Sequence, residues 1–211
     1  MSVIRQPEVL GRTTRRRVVG VAAALSAAAV ETAGVGLWFG LVVGSRTTAA
    51  ALAGLGVLFC GALLRTGVFG ATVTDLETLV EPARLGAALV LTAGWIVWLF
   101  VAELIGGSVG VAVGTAVLAG ILTGQFALER RVFRPRAADG ATVVPGLVLA
   151  AGASVLLATA WFLDGGLSAP PLSLGFTTVV VETAALHIGL LVFALSDALA
   201  HQYRLQRALD P

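Results

Sequence analysis

An all-α, polytopic membrane protein with six transmembrane helices is the fold class this sequence predicts, on three observations. Six apolar stretches, at about residues 18–44, 48–70, 85–105, 108–127, 143–163 and 174–198, each approach the ~20 residues that a helix needs to cross a ~30 Å hydrocarbon core. Hydrophobic residues make up 57% of the 211 and charged ones 12%, with a mean hydropathy of +0.95. A soluble core could not hide that much apolar surface, whereas lipid accepts it. The third observation is charge placement. Arg5, Arg12, Arg15, Arg16, Arg17, Arg65, Arg84, Arg130, Arg131, Arg134, Arg136, Arg204 and Arg207 fall on one side once the helices are drawn, and only Arg46 on the other. Arginine is retained on the cytoplasmic side during insertion, so a multi-pass protein of the cell membrane with both termini cytoplasmic is expected. The chain divides into a basic cytoplasmic segment (1–17), a six-helix transmembrane domain (18–200) and a cytoplasmic tail (201–211).

The first helix follows a basic run, as in a signal peptide. Its apolar segment extends about 27 residues without a convincing small-residue cleavage site, so it reads as a retained helix. The second carries Cys60, the only cysteine, which excludes an intramolecular disulfide, a CxxC pair and a thiolate cluster and reads as a packing residue. Between helices 2 and 3, Thr74 and Glu77 form a capping box for a short surface helix that ends before Pro82.

Helices 1–2 and 3–4 resemble each other at an offset of 60 residues. Leu25 matches Leu85, Ala27-Ala28 matches Ala87-Ala88, Thr32-Ala33-Gly34 matches Thr92-Ala93-Gly94, and Trp38 matches Trp98. Gly54, Val57 and Leu58 then match Gly114, Val117 and Leu118. The expected architecture is three hairpins, the first two a parallel internal repeat about an axis along the membrane normal. Gly36, Gly40 and Gly44, then Gly106, Gly110 and Gly114, and Gly120 with Gly124, are spaced for close helix packing. Trp38, Trp95, Trp98 and Trp161 are placed for an interfacial aromatic belt. Residues 130–140 form a basic internal loop, and the loop of residues 165–173, with Pro170-Pro171, is the longest external segment.

The ionisable residues inside the apolar stretches carry the functional reading. Glu31 and Glu182 both stand in the string Val-Glu-Thr-Ala, at residues 30–33 and 181–184. Counted at ~1.5 Å per residue, Glu31 lies about 20 Å from the inner end of helix 1 and Glu182 about 12 Å from the outer end of helix 6. The carboxyls would meet if those helices were neighbours. At 100° per residue, Glu182, Thr183, His187, Asp197 and His201 fall within an arc of about 140°, a polar stripe that hydrocarbon cannot solvate.

Such a site suits movement of a small solute, ion or proton. Glu31, Glu182 and His187, with Thr32 and Thr183, are its candidates, and Asp197 and His201 its cytoplasmic mouth. Carboxylates and imidazole are also adequate ligands for a divalent cation, but no metal is assigned. The two histidines, about 21 Å apart on one helix, cannot both ligate one haem iron. The basic residues are all arginine, which excludes Schiff-base lysine chemistry. No GxSxG, HExxH, Walker A or paired-Cys motif is present, so no catalytic residue and no cofactor is identified.

Three other readings stand beside the transport one. Each buried carboxyl can simply hydrogen-bond a neighbouring helix, contributing about 0.6 kcal/mol to packing. Arg65 near a helix end can snorkel to the headgroups, and Glu103 can be interfacial. The chain can be a non-catalytic subunit of a larger complex, or an intramembrane enzyme acting on a lipid or isoprenoid. The partners expected are the lipid bilayer, anionic headgroups at the cytoplasmic face, and a second membrane protein or copy of the chain. Despite a pI near 9.5, nucleic acid is not expected, because the cations flank membrane helices.

Overall fold

The computed structural model describes residues 7–45, 47–73, 82–133, 142–163, 166–168, 172–173, 178–179 and 182–209. Six α-helices dominate: α1 (Pro7–Gly44), α2 (Thr48–Val73), α3 (Pro82–Ile105), α4 (Gly107–Phe133), α5 (Val143–Phe162) and α6 (Ala185–Leu209). All six are long and apolar enough to cross a membrane, and the chain is a multi-pass membrane protein. Several helix ends carry local signals. The Thr47 hydroxyl accepts from the Ala50 amide at 3.2 Å, capping α2. Pro82 opens α3, where a missing amide hydrogen costs nothing. Gly106 and Gly107 have φ of +73° and +58°, and this left-handed pair turns α3 directly into α4.

Two departures from the sequence reading concern the segment before α6. That helix begins at Ala185, not near 174. Ahead of it stand β1 (Gly166–Ser168), β2 (Leu172–Ser173), β3 (Thr178–Val179) and β4 (Glu182–Ala184). β1 pairs antiparallel with β4, and β2 with β3. The β-branched run from Thr177 to Val181 favours strand over helix, which explains the late start. Helix α4 also extends through Arg130 and Arg131, which the sequence assigns to a loop. The surface helix expected to open at Thr74–Glu77, and the position of Arg46, lie outside the described residues.

Each helix packs on its sequence neighbours, and α1 also packs on α6, closing a ring. Where α1 crosses α2, a Cβ on Gly34 would stand 3.3 Å from Gly61 Cα. A Cβ on Gly54 would stand 3.0 Å from Trp38 Cδ1, and one on Gly114 would stand 3.4 Å from Trp98 Cδ1. By contrast, Gly40, Gly44, Gly120 and Gly124 have nothing within 4 Å of such an atom, so only part of the small-residue spacing serves packing.

The tryptophans do not form a belt. Trp38, Trp95 and Trp98 are buried. Trp95 and Trp98 pack edge-to-face at 5.5 Å, Phe39 stacks on Trp98 at 6.3 Å, and Phe193 meets Trp95 at 5.6 Å. These rings fill the bundle's centre, where their area contributes more than at an interface. Cys60, expected to pack inside, is exposed on α2.

Candidate functional site

The chain's charged core lies toward the face that the C-terminal ends of α2, α4 and α6 share. Glu31 of α1, Arg65 of α2, Glu129 of α4, and Asp197 and His201 of α6 are all at most 3% exposed. His201 Nε2 lies 2.9 Å from Glu31 Oε2 and 3.1 Å from Asp197 Oδ1. The Glu31 contact has hydrogen-bond geometry, while the Asp197 contact is close but not aligned and acts through charge. Asp197 and His201 are one helical turn apart on α6, so the helix itself sets their spacing. Thr32, next to Glu31, donates to Asp197 Oδ2 at 3.2 Å and ties α1 to α6 again.

Further ion pairs continue from Glu31 to Arg65, Glu129 and Arg204. Arg65 Nε donates to Glu31 Oε2 at 2.8 Å, and its Nη2 lies 3.3 Å from Glu129 Oε1. Arg204 Nη2 donates to Glu129 Oε2 at 2.5 Å. Gln125, one turn before Glu129, donates to Glu129 Oε1 at 2.9 Å and to the Ala87 carbonyl of α3 at 2.8 Å. The Phe126 ring lies beneath both guanidiniums, 3.9 Å from Arg204 Cζ and 5.5 Å from Arg65 Cζ. Five helices, α1, α2, α3, α4 and α6, are thus joined through one network.

Among the groups joined by these contacts, three carboxylates (Glu31, Glu129 and Asp197) face two guanidiniums (Arg65 and Arg204). One proton among Glu31, Asp197 and His201 balances the charge. A hydrogen on Nε2 makes both carboxylate contacts attractive, and with that nitrogen bare a protonated carboxyl would donate to it instead. Glu31, Asp197 and His201 each offer a ligand atom within 4.8 Å of the others, a spacing that also suits a metal ion. Against that, Arg65 already donates to the same Glu31 oxygen that approaches His201, so a cation there would face a guanidinium.

Two spaces adjoin the network. A pocket of about 10 Å³, room for about one water, is lined by Glu31, Gly34, Gly61, Leu91 and Trp95 among others. Glu31 Oε1 and Trp95 Nε1 are buried there without a hydrogen-bond partner. The other space is a groove of about 620 Å³ along the α1–α6 seam, apolar except for Thr32.

The expected site residues separate into two groups. Glu31, Thr32, Asp197 and His201 come together. Glu182 and Thr183 stand instead in β4, paired with Ser168 and Leu167, before α6 begins. From Ala185 to His201 the helix rises about 24 Å, so residue 182 is remote from the network that holds Glu31. The Glu31–Glu182 pairing does not form. His187, in the first turn of α6, is exposed and apart from the cluster. Asp197 and His201, expected as a mouth, stand instead at Glu31: His201 contacts it directly, and Asp197 is joined to it through His201 and Thr32.

Arg65, Glu129, Gln125 and Arg204 were missed. Arg65 reads as a snorkelling residue and is only 1% exposed. Glu129 hides in the string Glu-Arg-Arg, which reads as interfacial. A usable signal was the four-residue spacing of Gln125 and Glu129 on one helix face. No protein-family model, curated protein or solved structure matches the chain. Function is therefore read from these residues.

Proposed function

We propose that this membrane protein moves a proton, alone or together with a small solute, through Glu31, His201 and Asp197. One observation carries the reading: two carboxylates from different helices approach a single imidazole nitrogen, all of them buried. Buried charge in a membrane is costly, so such a constellation is by default a functional one. Arg65 supports the same role. It bridges Glu31 and Glu129, so a proton gained or lost at Glu31 changes how strongly the guanidinium is drawn to each.

The finer topology belongs to the same proposal. The arginine-rich face is cytoplasmic in the cell membrane, against anionic headgroups, by the distribution of arginine in the sequence. The α1–α2 and α3–α4 pairs are a parallel repeat. The shared Trp–Gly contact, Trp38 with Gly54 and Trp98 with Gly114, supports it.

A vesicle assay tests the reading. Purified protein is reconstituted with a trapped pH-sensitive dye, and a potassium gradient with valinomycin drives protons inward. Wild-type vesicles are expected to acidify faster than protein-free ones, and Asp197→Asn or His201→Phe to remove the excess. Equal acidification in wild-type and both variants contradicts the proposal. The α1–α6 groove favours a second reading, an intramembrane enzyme acting on a lipid or isoprenoid, with Glu31 and Asp197 exchanging the proton.

A further inference from the structure

We infer that the α1–α6 groove binds a lipid-phase amphiphile, a single apolar chain bearing a hydroxyl, with that hydroxyl at Thr32. This deepens the proton-site reading by naming the class of molecule that reaches the site and its route of entry. The groove spans Leu25 to Leu37 on α1 and Leu190 to Ala198 on α6, both within candidate membrane spans. It therefore opens sideways to hydrocarbon. Its volume, about 620 Å³, lies within the ~300–1,000 Å³ of small-molecule sites.

Its walls are built from missing side chains. Ala29 and Ala33 on α1 and Ala194 and Ala198 on α6 line it, leaving a trough where larger residues would have filled the seam, while Leu190 packs over Gly36. Thr32 is the polar lining residue, and it is half-buried rather than sealed. Its hydroxyl hydrogen goes to Asp197 Oδ2, which leaves its lone pairs to accept a hydrogen bond. A ligand hydroxyl donating to Thr32 would lie one hydrogen bond from Asp197, and through it against His201 and Glu31.

The space on the other side of the site argues against entry of a polar solute there. The pocket beside Glu31 holds about 10 Å³ and is lined mainly by apolar side chains, so among the described residues it admits no more than about one water. The lateral groove is the roomier approach to the charged core. A bare hydrocarbon chain would fill the groove but leave the Thr32 lone pairs facing it. The hydroxyl is what distinguishes a ligand from bulk lipid.

Photolabelling of the full-length protein in lipid nanodiscs tests this, with a long-chain alcohol carrying a diazirine on its chain as the probe. Adducts mapped by mass spectrometry are expected on residues 25–37 and 190–198 in excess of those on the exposed face of α2 around Leu52, Leu55 and Leu64. Unlabelled long-chain alcohol should compete about fivefold better than the alkane of equal length, the selectivity of about 1 kcal/mol that one net hydrogen bond supplies. Thr32→Val should abolish that preference while leaving the groove labelled. Ala29→Trp, which fills the trough, should remove the labelling.

Even labelling of all lipid-facing helices, or equal competition by alkane and alcohol in the wild type, overturns the inference, and neither outcome depends on a variant folding. The vesicle acidification of the Ala29→Trp protein separates the two proposals. Acidification by an Ala29→Trp protein that has lost its labelling shows that proton movement does not need the groove, and overturns the groove as the route to the site. Selective labelling of a wild type that does not acidify vesicles leaves the groove and removes proton movement.

Discussion

The α1–α2 and α3–α4 pairs share a tryptophan–glycine contact and bury different chemistry. In each, a tryptophan lies against a glycine of the next helix: Trp38 on Gly54, and Trp98 on Gly114. Ala27 and Ala28 are as buried as Ala87 and Ala88. At the same offset, however, Glu31 stands where α3 has Leu91, and Arg65 stands where α4 has Gln125. All four are buried. The α3–α4 pair shows that the tryptophan–glycine contact does not require an ion pair between the two helices that make it. The charge in α1–α2 therefore has to be accounted for by what it does rather than by what the fold needs. A buried ion pair is weak evidence for stability, since apolar side chains of like volume often serve as well.

The largest expected effect comes from breaking that comparison on one side. Arg65→Leu leaves Glu31 and Glu129 without their shared guanidinium and should cost about 3–5 kcal/mol of stability. Thermal or denaturant unfolding in nanodiscs measures it. The double variant Glu31→Leu with Arg65→Gln gives α1–α2 the residues of α3–α4 and should recover most of the loss while abolishing proton movement. A double variant no more stable than Arg65→Leu would show that the ion pair is part of the scaffold.

A smaller effect sharpens the packing half of the comparison. Gly54→Leu and Gly114→Leu each force a side chain against a tryptophan and should destabilise by about 1–3 kcal/mol. Similar losses are expected from the two, measured by the same unfolding. A clear loss at only one of them would end the parallel between the pairs.

The sequence made the fold legible to the extent that lipid imposes it. Twenty-residue apolar runs and arginine placement needed no tertiary information, and α2, α3, α4 and α5 lie close to where those runs put them, whereas α1 begins at Pro7, ahead of its apolar run. The site was legible in part. Glu31, Thr32, Asp197 and His201 stand out as polar groups within apolar helices, but their pairing depended on where α6 starts. Beginning it at 174 gave Glu182 the depth of Glu31. With the start at Ala185, Asp197 lies 12 residues in, about 18 Å, close to the depth of Glu31 counted from Gly44. The tryptophans misled for a different reason: amphipathic rings suit an interface and a core alike, and only neighbours decide between them. Arg65 was hidden because snorkelling and inward pairing leave the same trace in a sequence.

The central claim is that His201 Nε2 carries a hydrogen held between Glu31 and Asp197. The chain has two histidines, His187 and His201, so nitrogen NMR of imidazole-labelled protein in nanodiscs reads both sites. The account expects two unlike signals. The exposed His187 should exchange its ring hydrogens quickly with deuterated solvent, and the buried His201 should retain its Nε2 hydrogen. Glu31→Gln and Asp197→Asn should each move the His201 signal and leave that of His187 in place. A His201 signal that exchanges as fast as that of His187 and is unmoved by either substitution would contradict the account.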